Sequence, residues 1–239
     1  MRRWDVRSHI LSKENKMKKN KTSAVTDSNG LSKTALRRQR EREHRYESIL
    51  TVAEILFARE GYLQASMEKI ADSAEVSVGT LYFYFKNKED ILVRLLDKIS
   101  FELRELLGSE FRKADFSLDG IKRAGQFFFE EFCIKHPEKL TIIFKESMGK
   151  SAMVEEYRKQ IFDKLISDVQ EALMRLSENR GLKYQSSLSA ELMAVSILGM
   201  YERIAYHFLI GQDRSKELKT ISKDTVAFIL GGINNLCRQ

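Results

Sequence analysis

Apolar positions recur along most of this chain with the period of an α-helix. Ile49, Val52, Ala53, Leu56 and Phe57 follow the i, i+3, i+4, i+7, i+8 template of a one-sided helix. Gly61 then offers the left-handed conformation that commonly ends a helix. Ser66 is placed to cap a second, short helix whose inner face is Met67, Ile70, Ala71 and Ala74. A third starts at Ser77 and carries Val78, Leu81, Tyr82 and Phe85 three and four residues apart. Asn87 is the next candidate cap, followed by Glu89 and Asp90 in a first turn where the helix dipole favours acids. The fourth helix is long, with Ile91, Leu95, Ile99, Leu103 and Leu106 along its stripe. Beyond Gly108 the pattern predicts helices at about 117–135, 138–149, 151–179, 187–211 and 219–237. No stretch sustains the alternation of a strand. The expected fold is all-α, an N-terminal three-helix helix-turn-helix domain followed by a larger helical domain.

Composition supports long helices. At ordinary usage of about 5%, a chain of this length would carry roughly twelve prolines; this one has Pro137 alone. The net charge of +7 is unevenly placed. Residues 1–45 hold 14 Lys and Arg against 5 Asp and Glu, whereas the rest of the chain holds 27 against 29. Residues 1–36 are polar and without periodicity, which predicts a disordered basic tail, either a solubilising extension or an arm that neutralises phosphates. Met17, ahead of KKNK, offers an alternative start.

Several function classes receive no support. Cys133 and Cys237 fit no metal or redox spacing, and Cys133 with His136 makes only an isolated C-x-x-H. With four histidines, no nucleophile elbow and no phosphate-binding glycine loop, catalytic machinery is lacking, so no enzyme, metal or cofactor is expected. No apolar run reaches signal-peptide or membrane-spanning length, which leads to the expectation of a cytoplasmic protein.

Residues 61–91 concentrate the candidate chemistry. A helix that enters a DNA groove needs compact side chains at its start, so that its backbone can approach the bases. Here they are Ser77, Val78, Gly79 and Thr80. The consecutive aromatics Tyr82, Phe83 and Tyr84 point around the whole helix, so not all can be buried, and phenolic hydroxyls can donate to phosphates. Lys86 and Lys88 stand at the next helix start.

The same stretch, GYLQASMEKIADSAEVSVGTLYFYFKNKEDIL, resembles the signature of the tetracycline-repressor family. The resemblance covers about residues 45–96 and rests on Gly61-Tyr62, Ile70-Ala71, Val76-Ser77, Gly79-Thr80-Leu81-Tyr82 and Phe85-x-x-Lys88. It implies that Val78 and Phe83 meet bases, that Thr80 serves bases or phosphates, and that Ser66, Ser77, Tyr82, Tyr84 and Lys88 also lie at the DNA. Glu75 departs from the pattern, standing where the family usually has glycine. The resemblance further implies a ligand-responsive regulator, most simply a repressor, that binds a palindromic operator as a homodimer and is released by a small-molecule effector. The competing reading is a non-specific architectural DNA-binding protein driven by the basic tail.

In that frame residues 37–90 form the DNA-binding domain and residues 91–239 the ligand-binding and dimerisation domain. Pairing is expected through the last two helices. One carries Leu188, Leu192, Val195, Leu198 and Leu209 with small Ala194, Gly199 and Ala205 between them. The other carries Ile221, Thr225, Phe228, Ile229, Gly232, Ile233 and Leu236. Phe128, Phe132, Phe144, Met148, Phe162 and Tyr201 are candidates to line a cavity for an apolar or aromatic effector, with ordinary core packing as the alternative.

Overall fold

The computed structural model describes residues 33–181 and 183–238, and the chain divides after Arg45 into two units. Of the first unit, the described part is the start of helix α1 (Lys33–Glu60). Its exposed side chains pair along the helix, Arg37 Nε with Glu41 at 2.7 Å and Gln39 with Glu43 at 2.9 Å. Each such pair contributes only tenths of a kcal/mol, about 0.2–0.5. Most of the expected basic tail lies outside the described residues, but its last four, Lys33 to Leu36, are helical rather than disordered.

The second unit, Tyr46–Gln239, contains the rest of α1 and the helices that follow. These are α2 (Met67–Ser73), α3 (Val78–Tyr84), α4 (Lys88–Lys113) and α5 (Leu118–Phe127). After them come α6 (Pro137–Thr141), α7 (Ala152–Arg180), α8 (Ser189–Ile204) and α9 (Leu218–Leu236). Three of them widen into π-helical turns without breaking: α5 into Phe128–Phe132, α6 into Ile142–Glu146 and α8 into Ala205–Ile210. The predicted boundaries are met to within about three residues, and Pro137 sits in the first turn of α6, where its missing N–H costs nothing. A two-residue antiparallel pair, Lys183 with Arg238 and Tyr184 with Cys237, ties the α7–α8 connection to the end of α9.

Caps and stops fall where their side chains allow. Ser66, Ser77 and Asn87 accept the N–H groups of Lys69, Thr80 and Asp90 at 3.1, 3.0 and 2.8 Å. Gly61 takes a φ of 91°, which an L side chain rarely adopts, and so ends α1 sharply. Gly125 serves closeness instead: a Cβ there would stand 2.5 Å from the Tyr201 hydroxyl and 2.7 Å from Val226.

One continuous core runs from Ile49 and Phe57 through Leu81, Ile91 and Leu95 to Phe129, Val154 and Ala194. The expected boundary near residue 90 therefore does not separate two cores. The helix-turn-helix and the larger helical part share apolar side chains and hydrogen bonds.

Candidate nucleic-acid interface and ligand cavity

Helix α3 is only seven residues long, and its placement depends on the turn before it. The N–H groups of Glu75 and Val76 close that turn onto the carbonyls of Asp72 and Ala71 at 3.1 and 3.0 Å. Glu75 occupies the left-handed region at φ 54° and its side chain is exposed. The backbone conformation that usually calls for glycine is thus kept, with the carboxylate turned to solvent. Leu81 and Phe85 are buried and pin α3 to the core, with Phe85 stacked on Tyr46 at 5.1 Å.

The outer surface of α3 carries what the inner surface excludes. Tyr82 is 51% and Phe83 69% exposed, so Tyr82 does not belong to the buried set that periodicity assigned it. Tyr84 is half-buried, edge-on to Phe83 at 5.2 Å and tilted against Tyr46 at 6.4 Å. Ser77 is exposed and Thr80 half-exposed; their hydroxyls lie 2.8 Å apart. Val78 is half-buried against the core. Ser66 is exposed at the start of α2.

Lys88 is differently placed from the expectation of a free phosphate anchor. Its ammonium donates to the carbonyls of Tyr62 and Ala65, both at 2.7 Å, and lies 4.4 Å from the centre of the Tyr62 ring. Partial burial, helped by Lys150, lowers its pKa. Burial, with Glu89 nearby, pushes the Tyr62 phenol up to about 12. Lys88 therefore holds the Gly61–Ser66 connection together, while the neighbouring Lys86 is exposed.

Deeper in the second unit, a cavity of about 400 Å³ lies among α4, α5, α6, α7 and α8. Four of the six sequence candidates line it, Phe128, Phe144, Phe162 and Tyr201, with Phe128 and Tyr201 stacked at 5.0 Å. Two do not. Phe132 is spent in the core, stacked on Phe128 at 6.2 Å, and Met148 is 47% exposed beyond the end of the α6 turn. Residues missed in the sequence complete the wall, notably Phe111, Phe116, Leu165 and Ile197. At one end stand Arg104, Arg112 and Arg175 with Glu105, Asp168 and Glu171. Arg112 and Arg175 are about half exposed, which makes this end the mouth. Phe162 and Glu202 line the cavity further inward. From Phe162 to Arg175 the wall follows α7 for about 20 Å at 1.5 Å per residue.

A third surface is apolar and outward. Leu188, Leu192 and Val195 on α8 are 65%, 60% and 48% exposed, and Phe228 on α9 is 72% exposed. Gly199, Gly231 and Gly232 stand on the exposed sides of the same helices, with open space where a Cβ would be. By contrast Thr225, Ile229 and Ile233, expected on the same stripe as Phe228, are buried within the chain.

A short helix presented by a left-handed turn, on a helical body with an internal cavity, defines a helix-turn-helix protein with a built-in small-molecule site. The model of the bacterial regulatory proteins of the tetR family matches residues 49–95, and the chain belongs to that family. It is 45% identical to the fatty acid metabolism regulator protein of Bacillus subtilis (strain 168) over 56 residues, 23% of this chain and 29% of that protein. The matched segment thus spans less than a third of that relative. Over the whole fold it is similar to the fatty acid degradation regulator FadR from Bacillus halodurans, with 26% identity, a TM-score of 0.69, and coverage of 79% of this chain and 95% of that one. FadR from Bacillus subtilis in complex with stearoyl-CoA shares the fold at 21% identity and a TM-score of 0.70, over 78% of this chain and 98% of that one.

Proposed function

We propose that this protein is a transcriptional repressor that reads a palindromic operator as a homodimer and releases it when a small molecule fills the cavity. The observation that carries the DNA-reading half is the exposure of Tyr82 and Phe83 on a helix whose other face is anchored by Leu81 and Phe85. Large aromatic side chains held rigidly in water on so short a helix call for a partner surface. Ser77, Thr80 and Val78 lie at the start of α3, where backbone approach to bases is closest, and Ser66 and Tyr84 lie beside them toward the phosphates. The basic excess of residues 1–45 adds sequence-independent attraction to DNA.

Homodimerisation accounts for the outward stripe of Leu188, Leu192, Val195 and Phe228. Glycines on the same faces let two copies approach closely, and two-fold pairing would give the paired recognition helices a palindrome requires. The effector we assign is a long-chain acyl compound with an anionic head. The cavity is apolar along its length and cationic at its mouth, its volume falls in the range of small-molecule sites, and a protein of the same fold holds stearoyl-CoA.

The test is selection of bound fragments from genomic DNA, followed by titration of the selected duplex with hexadecanoyl-CoA. Tyr82→Ala and Thr80→Ala are expected to abolish specific binding with the helical content unchanged. Hexadecanoyl-CoA is expected to release the wild-type chain. Specific binding that survives both substitutions would remove α3 as the reading helix, and a complex indifferent to hexadecanoyl-CoA would remove the acyl effector.

A further inference from the structure

Arg158 is buried at 9% exposure, yet its Nε and Nη1 have no hydrogen-bond partner among the described residues. Its nearest carboxylate is Glu202, with Nη2 to Oε1 at 3.8 Å, too long for a hydrogen bond. The guanidinium stands 5.3 Å from the centre of the Phe162 ring. Phe162 and Glu202 both line the cavity, well inward of the mouth arginines. An apolar tunnel therefore ends at a loosely paired charge couple, with free donors on one member and free acceptor capacity on the other.

Such an end is poorly suited to a terminal methyl group. Two guanidinium donors left without partners in a water-poor site cost far more than an apolar wall would. A second carboxylate is disfavoured by Glu202, and a cation by Arg158. A hydroxyl suits both members, because it accepts from Arg158 and donates to Glu202 at once. We infer that the inner end of the cavity is a hydroxyl subsite, so that the effector is a chain bearing an anionic head at the mouth and a hydroxyl at its far end. This rests on the cavity being the effector site and specifies which member of the acyl class it selects.

The experiment compares hexadecanoyl-CoA with 16-hydroxyhexadecanoyl-CoA on the full chain, by calorimetric titration. The hydroxylated thioester is expected to bind about tenfold or more tightly, since a site built to pair a hydroxyl rejects the analogue that lacks it. In the double variant Arg158→Met with Glu202→Met the preference is expected to vanish or invert. Burial of matched apolar side chains in place of an ion pair is commonly neutral or stabilising, so this variant should fold. Equal affinities in the wild type, or a preference that survives the double variant, overturn the subsite and leave the acyl reading of the cavity intact. Failure of both thioesters to bind overturns the acyl reading and the subsite together. The wild-type comparison decides without any variant.

Discussion

The carboxylate of Glu146 accepts the backbone N–H of Tyr62 at 2.8 Å, across 84 residues of sequence. Glu146 is buried and ends the π-helical turn of α6, whereas Tyr62 follows Gly61 at the entrance to the helix-turn-helix. Ile143 and Phe144, in the same turn, line the cavity. One helical turn thus touches the cavity with two side chains and the DNA-reading segment with a third. A ligand that shifts this turn has a direct connection to the head, beside the route along α4.

Replacing Glu146 leaves a buried N–H without an acceptor. Glu146→Ala is expected to cost about 1–3 kcal/mol of stability and to speed hydrogen exchange at the Tyr62 amide above all others in α1 to α3. Glu146→Gln keeps a carbonyl acceptor and is expected to recover most of the loss. Thermal unfolding and amide exchange by NMR read both effects. An unchanged Tyr62 amide in Glu146→Ala would show that the contact holds nothing.

Glu75 offers the opposite experiment, a substitution that should stabilise. Its φ of 54° is strained for a side chain with a Cβ and natural for glycine. Glu75→Gly relieves that strain while loosening the unfolded chain, so the net gain is expected to be modest, about 0.5–1 kcal/mol. The substitution also removes an exposed negative charge next to the proposed DNA surface, so affinity for any duplex should rise, most at low salt. Chemical denaturation and a salt titration on random DNA check the two effects separately.

Lys86 and Lys88 are two residues apart and are expected to fail differently. Lys88 supplies the Tyr62 and Ala65 carbonyls, so Lys88→Ala should lower the melting temperature, with a loss of about 1–3 kcal/mol for charged hydrogen bonds. Lys86 is exposed, so Lys86→Ala should leave stability within about 0.5 kcal/mol and weaken binding alike on every sequence. Equal melting temperatures for the two variants would contradict the assignment of Lys88 to the 61–66 connection.

The helices were legible because their apolar positions carry a single period and their ends carry Ser66, Ser77, Asn87 and Gly61, each of which acts through its own backbone neighbourhood. Periodicity could not tell Tyr82 from a core residue, since on a seven-residue helix consecutive aromatics satisfy any stripe; only the packing of Leu81 and Phe85 decides the face. The cavity was half legible. Phe128, Phe144, Phe162 and Tyr201 stand out as aromatics, but Leu165 and Ile197 look like any core residue, and Arg104, Arg112 and Arg175 like any solvated helix face. Lys88, Glu146 and Arg158 were out of reach, because what each does depends on partners 23 to 84 residues away or on partners it lacks. The dimer stripe divides at Phe228 and Ile229, adjacent in sequence and on opposite sides of α9.

His136, between α5 and α6, gives the chain an acid-sensitive joint. Its ring packs against Phe132 at 5.3 Å. Burial, then Lys139 and Lys135 against Glu102 and Glu138, moves its pKa below the ordinary 6.5. The unfolded chain therefore takes up this proton at a higher pH than the folded chain does. Stability is expected to be full above 6.5, to fall as pH drops through that value, and to level off below the depressed pKa. In His136→Asn this component of the acid loss should disappear while the carboxylate-dependent loss at lower pH persists. Melting temperatures recorded from pH 7.5 to 5 for both proteins make the comparison. If the two curves stay parallel through the whole range, His136 titrates no differently in the folded chain than in the unfolded one, and the depressed pKa is wrong.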